Sequence, residues 1–267
     1  MKEVNSYGWK AVIGSSIGYA MDGFDLLILG FMLSLISGDL GLTTGQAGSL
    51  VTWTLVGAVI GGFIFGTLSD KFGRVRVLTW TIVLFAVFTG LCAFAQGYWD
   101  LLIYRTIAGI GLGGEFGIGM ALAAEAWPAQ HRAKATSYVA IGWQLGVLAA
   151  ALLTPVLLPY IGWRGMFMVG IIPAFVAWFF RAKLHEPEIF VQSKEIKEHS
   201  HTNSFKLLVK DVRTTKTSIG VAILTSVQNF GYYGIMIWLP NFLSKQLGFS
   251  LTKSGLWTAV RSEEHTS

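Results

Sequence analysis

A chain of 267 residues, of which 53% are hydrophobic and only 13% charged, with a mean hydropathy of +0.56, is far too apolar for an ordinary soluble core. The formal net charge of +5 would suggest nucleic acid in a soluble protein, but the basic residues fall in short connectors between apolar stretches, where they report membrane topology. The single cysteine, Cys92, excludes an intrachain disulfide and a cysteine metal site, and says nothing of redox compartment.

A helix crosses a bilayer with roughly 20 apolar residues. Six such stretches follow one another, at 11–36, 47–68, 77–95, 99–123, 136–158 and 163–181, and a seventh runs over 217–242. They are long and continuously apolar, which excludes the short alternating strands of a membrane barrel and predicts helices. The first is longer than a signal-peptide core and carries acids, so it reads as a retained span.

Lys2 and Lys10 precede the first span, Lys71, Arg74 and Arg76 lie between the second and third, and Arg132 and Lys134 between the fourth and fifth. The opposite connectors, 37–46, 96–98 and 159–162, carry no Lys or Arg. The positive-inside rule therefore places the N-terminus in the cytoplasm. Trp99 and Trp163, which begin spans four and six, read as interfacial anchors.

After span six the composition turns polar, "RAKLHEPEIFVQSKEIKEHSHTNSF", and residues 182–216 read as a cytoplasmic linker. Its His185, His199 and His201 match no metal-ligand spacing and are expected to be solvated; no metal site and no cofactor are expected anywhere in the chain. Residues 205–212 have the pattern of a short amphipathic helix lying on the membrane surface. The domain reading is thus a six-helix bundle over 1–181, the linker over 182–216, and over 217–260 the seventh helix and the start of an eighth. The terminal "RSEEHTS", 261–267, resembles the translation of a common sequencing-adapter oligonucleotide and is expected to be foreign.

Two acids interrupt the first span. Each acid at a helix centre costs about 2.5 to 3.5 kcal/mol on insertion scales, so Asp22 and Asp25 must face a polar cavity, bind a proton or meet a cation. Spaced i, i+3, they share a helix face. Arg105 is the one basic residue well inside the first four spans and is the expected partner, in a charged pair facing a central cavity.

The connector "GTLSDKFGRVRVL" has Gly66 for close helix approach, Asp70 to cap or pair, Gly73 for a tight turn, and Arg74 and Arg76 to hold the basic face. It resembles the signature loop of the major facilitator superfamily at all its diagnostic positions. Span four, "YRTIAGIGLGGEFG", is similar to that superfamily's Arg- and Gly-patterned motif through Arg105, Gly109, Gly111 and Gly113, glycines that permit tight helix packing. "EAWPAQHR" matches its helix-four element at Glu125, Pro128 and Arg132. "HEPEIF" keeps only Pro187 and Glu188 of a further element after helix six. Within the superfamily, "DGFD", "GGEFG", "EAWP" and "YYGIMIWLPNFL" resemble the branch of organic-anion and proton symporters that includes aromatic-acid and sialic-acid carriers.

The resemblance implies an all-α integral membrane protein of the major facilitator fold in a bacterial cytoplasmic membrane, monomeric when full length. It implies proton-coupled import of a small carboxylate, with no nucleic acid as partner. Asp22 or Asp25 would carry the proton, Arg105 would meet the anion or couple the proton, and Glu115 would be a second titrating site. A substrate carboxylate competing for Arg105 would free an aspartate to take up a proton. Trp53, Trp143, Gln144, Asn229, Tyr232 and Tyr233 are candidate cavity-lining residues. A sugar, polyol or drug carrier, or a receptor on this scaffold, stays open as an alternative. An enzyme does not fit: "GIGLGG" lies inside an apolar helix without the strand that a dinucleotide fingerprint requires.

Overall fold

The structure, a computed structural model, describes residues 6–181, 184–187, 190 and 210–247. The described elements are helices: α1 Ser6–Leu40, α2 Thr44–Phe72, α3 Arg74–Cys92, α4 Tyr98–Ala126, a short 3-10 turn Ala129–His131, α5 Arg132–Arg181 and α6 Val212–Leu247. The eighth helix and the terminal heptapeptide expected above, His199, His201, and all of the surface helix except its last three residues lie outside the described residues.

The breaks between helices have local causes. α1 ends at Gly41, whose φ of 63° suits a left-handed C-cap, with the Leu42 amide donating back to Ser37 O at 2.9 Å. Thr43 and Gln46 form a reciprocal capping box at the start of α2. Gly73, at φ 108°, separates α2 from α3 without a longer loop. Trp127 and Pro128 leave helical geometry and stop α4.

Spans five and six are two helical arms, labelled together α5, that meet at Gly162, where φ is 64° and ψ −179°. The chain reverses there. On the first arm Gly142 packs on Ser16 and Gly146 on Ala20, so that arm runs with α1. On the second arm the Trp163 indole bonds Asp39, Gly170 meets Ile28, and Arg181 bonds the carbonyl of Gly14, so that arm runs against it. Among the described residues five elements are long and apolar enough to cross a membrane, and the fifth, 53 residues with its leading turn, is long enough for two crossings. α6 is helical across the expected seventh span but less apolar than the others, because Thr225, Ser226, Gln228 and Asn229 interrupt it.

α1 is the innermost helix. Of its most apolar window 78% is buried, against 28% for α2, so the acids of α1 stand inside protein and not against lipid. Phe24, Ile28, Met32 and Ile36 of α1 share a core with Leu50, Leu101 and Phe167, while Phe63, Val59, Ile172 and Phe175 form an exposed apolar surface suited to lipid.

Two expectations are corrected. Added carbon at Gly66 would meet nothing within 4 Å, so the close helix approach lies instead at Gly109 and Gly113 of α4, where it would overlap the carbonyls of Thr54 and Ala58 on α2. Trp163 is not an interfacial anchor: it is 5% exposed, with its Nε1 donating to Asp39 at 3.0 Å, whereas Trp99 is 70% exposed.

Candidate functional site

The expected partnership between α1 and α4 is present. Arg105 Nη1 and Nη2 donate to the two oxygens of Asp25 at 2.9 and 2.7 Å, a bidentate pair, and Nε reaches Thr54 Oγ1 at 3.4 Å. The guanidinium also lies over the Phe167 ring, 5.8 Å from its centroid. The pair does not face an open cavity. Both residues are 0% exposed, because α1, α2, α4 and the second arm of α5 close around them. Competition for Arg105 by a substrate carboxylate therefore requires the bundle to open first.

A second buried pair was not legible in the sequence. Arg181, the last residue of α5, sends Nη1 and Nη2 to the oxygens of Glu115 at 2.9 and 2.7 Å. The same nitrogens donate to Leu78 O at 3.3 Å and Gly14 O at 3.1 Å, and Thr81 Oγ1 adds a bond to Glu115 at 2.6 Å. Arg181 is 1% exposed. By composition it opens the polar linker; in the fold it closes the bundle core. Its position between "FVAWFF" and "AKLHEP" hides it, since a cation ending an apolar span normally marks the water interface.

Asp22 stands between the two pairs. It is 1% exposed and its Oδ1 has no hydrogen-bond partner. Glu115, Arg181 and Asp25 are the charges that act on it. The arrangement thus holds three buried carboxylates and two arginines, each arginine already gripping one carboxylate.

At the signature-loop end, Arg74 bonds Asp70 at 2.7 Å and Glu125 at 3.1 Å, joining the loop to the end of α4. Glu186 engages this loop. Its carboxylate accepts the backbone N–H groups of Arg74, Val75 and Arg76 at 2.7, 3.2 and 3.0 Å, occupying the exposed donors of the α3 N-terminus. Gly73 lets that carboxylate approach, since a Cβ there would overlap it. Glu188 lies outside the described residues. His185 belongs to this end too: its ring stacks on Tyr7, centroids 5.7 Å apart, and its carbonyl accepts the Tyr7 hydroxyl at 2.6 Å. The Arg76 side chain and Arg132 are exposed, and Pro128 begins the 3-10 turn.

Of the candidate lining residues, Trp143 and Tyr232 meet. The Trp143 indole donates to the Tyr232 hydroxyl at 2.7 Å and ties α5 to α6. Tyr19 and Phe116, which the sequence reading passed over, extend this contact: Tyr19 lies 5.1 Å from Trp143 and 5.0 Å from Phe116, between ring centroids. The Gln144 Oε1 atom is buried without a partner, Trp53 is 47% exposed, Asn229 is exposed, and the Tyr233 side chain lies outside the description. Among the described residues no group of three or more His, Cys, Asp or Glu could hold a metal ion.

Comparison with known proteins agrees with this architecture. Residues 15–260 match the Major Facilitator Superfamily. The chain belongs to that family. It is 79% identical over 263 residues to a putative metabolite transport protein of Haemophilus influenzae, covering 97% of this chain and 65% of that relative. It is 33% identical over 267 residues to the cis,cis-muconate transport protein of Acinetobacter baylyi, covering 96% of this chain and 65% of the relative. Among solved structures, a D-xylose-proton symporter superposes with a TM-score of 0.75 at 23% identity, over 96% of this chain and 66% of its own, which establishes the shared fold. The chain is therefore a member of the Major Facilitator Superfamily and a multi-pass membrane protein. It spans about 65% of the length of these two relatives.

Proposed function

We propose that the full-length carrier containing this chain imports a small organic anion together with a proton, across a bacterial cytoplasmic membrane, as a monomer with its N-terminus in the cytoplasm. One observation carries the reading: Asp22, buried on the central helix of a major facilitator bundle, keeps an oxygen without a hydrogen-bond partner while Asp25 and Glu115 are each gripped by an arginine. A buried carboxylate without a cation of its own is the group that takes up a proton at least cost. Asp22 is thus the proton carrier, and Asp25 the permanent partner of Arg105. The name of the muconate relative, an organic acid carrier, supports a carboxylate as the cargo.

Protonating Asp22 removes the uncompensated charge of this buried cluster. That lowers the barrier to rocking one bundle against the other, the motion by which major facilitators alternate access. The signature loop, tied by Arg74 to Asp70 and Glu125 and by Glu186 to the start of α3, holds the cytoplasmic end during that motion.

The test is uptake by the full-length carrier in proteoliposomes. Carboxylates, their amides and neutral sugars are offered at two external pH values, with and without an imposed proton gradient. Accumulation of a carboxylate alone, driven by the gradient and abolished in Asp22→Asn, is expected. Gradient-independent uptake of neutral sugars would replace this reading with a sugar carrier, and specific binding without flux would replace it with a receptor.

A further inference from the structure

The proton site has a feature that neither pair explains by itself. With all five buried groups ionised, Asp22, Asp25 and Glu115 face Arg105 and Arg181, so the cluster carries one uncompensated negative charge inside protein. Burying a net charge is expensive, and one added proton brings the cluster to neutrality. Two unsatisfied atoms in this cluster are complementary: Arg181 Nε is a buried donor without an acceptor, and Asp22 Oδ1 a buried acceptor without a donor.

Arg181 lies along α1 with its stem beside Gly14 and its guanidinium beside Gly18, so the Nη end of the guanidinium is the part that faces toward Asp22. Gly18, one turn before Asp22 on the same face of α1, lies directly against Arg181 Nη2 and Glu115 Oε2, where a Cβ would overlap both. Having no side chain, Gly18 leaves the face between the guanidinium and Asp22 unobstructed. Of the elements packed against this face, α1 supplies Asp25, α4 supplies Glu115 and Arg105, and the second arm of α5 supplies Arg181. α3 contributes the neutral Thr81, and the first arm of α5 Trp143 and Gln144.

We infer that Arg181 is a positioning residue of the proton site, held by Glu115 while Asp22 is protonated and shared with Asp22 once the proton leaves. The inference rests on the reading of Asp22 as proton carrier. In the protonated carrier Glu115 keeps both guanidinium bonds and the Thr81 hydroxyl, the arrangement described above. When Asp22 ionises, its charge draws the Arg181 guanidinium toward it, and Glu115 retains Thr81. Arg105 does not take part, since Asp25 occupies both its Nη donors.

The prediction is a pair of opposite shifts and their cancellation. In proteoliposomes containing the full-length carrier, the pH at which proton-driven carboxylate uptake falls to half its acid plateau is measured. Glu115→Gln releases Arg181 to Asp22, holds it ionised, and moves the midpoint down by about one unit or more. Arg181→Gln leaves Glu115 beside Asp22 without a countercharge, and moves the midpoint up by about as much. The double variant Glu115→Gln with Arg181→Gln removes one charge of each sign and returns the midpoint to the wild-type position.

A residue that merely holds helices together would lower the plateau and leave the midpoint in place. Shifts in one direction for both single variants, no shift in either, or a displaced midpoint in the double variant each overturn the inference. Should Arg181→Gln fail to fold, the downward shift of Glu115→Gln and its reversal in the double variant still decide. Asp22→Asn in the same vesicles separates the two levels: a wild-type midpoint there overturns the proton carrier itself. A flat profile there with unshifted Glu115 and Arg181 variants overturns only the role of Arg181.

Discussion

Removing the charge of Asp25 and removing that of Asp22 have opposite meanings for the fold. Asp25→Asn leaves Arg105 fully buried with neutral acceptors only, the new amide oxygen and Thr54 at 3.4 Å, in place of charge-assisted bonds of 2.9 and 2.7 Å. Breaking a buried pair from one side costs about 3 to 5 kcal/mol. At about 1.4 kcal/mol per factor of ten, local opening of the bundle becomes roughly a hundred to several thousand times more frequent. Asp22→Asn removes a carboxylate whose Oδ1 had no partner, and the change is within about 1 kcal/mol. Cys92 reports the difference: it is 0% exposed and close enough to Asp25 and Arg105 to interact with their charges. Maleimide labelling of the detergent-solubilised carrier, read at the Cys92 peptide by mass spectrometry, accelerates at least a hundredfold in Asp25→Asn, by the same arithmetic. In Asp22→Asn it changes by less than about tenfold. Equal labelling rates in the two variants would refute the assignment of Arg105 to Asp25.

Three further outcomes follow from the geometry. Gly73→Ala places a side chain at φ 108° and drives it into the Glu186 carboxylate, so transport falls at unchanged substrate affinity, whereas Glu186→Gln, which keeps one accepting oxygen and loses the charge, falls less. Gly113→Leu separates α2 from α4 and abolishes the monodisperse peak in size-exclusion chromatography, while Gly66→Ala, with open space around it, elutes as wild type. At the start of α6, Asp211 accepts the Thr214 amide at 2.9 Å and the Thr214 hydroxyl at 2.8 Å. The amide bond is the main reason its carboxyl is held below the usual value of 3.8. A lowered carboxylate stabilises above its unfolded value and ceases to as pH falls through the folded one. The first turn of α6 therefore keeps its protection from hydrogen exchange at pH 5 and loses it below the lowered value, while Asp211→Ala lacks that protection at both.

Sequence alone settled the membrane class and the succession of apolar spans, and it offered Arg105 as the cation for the two aspartates of α1. Each of these rests on a local quantity: hydropathy over a helix length, and the cost of a charge in a span with one cation to relieve it. Glycines of α4 were legible for the same reason, since small residues in an apolar helix have few other uses. Arg181 and Glu186 were not, because their roles depend on where the second arm of α5 ends relative to helices distant in the chain. A cation after "FVAWFF" looks like an interface residue until the reversal at Gly162 brings it back beside Gly14 and Glu115. Likewise Gly66 and Trp163 carry familiar local signals, yet tertiary packing left the first in open space and enclosed the second. Composition and spacing determine which residues can lie in a membrane; only the packed bundle decides which carboxylates find an arginine, and so which one is left to meet a proton.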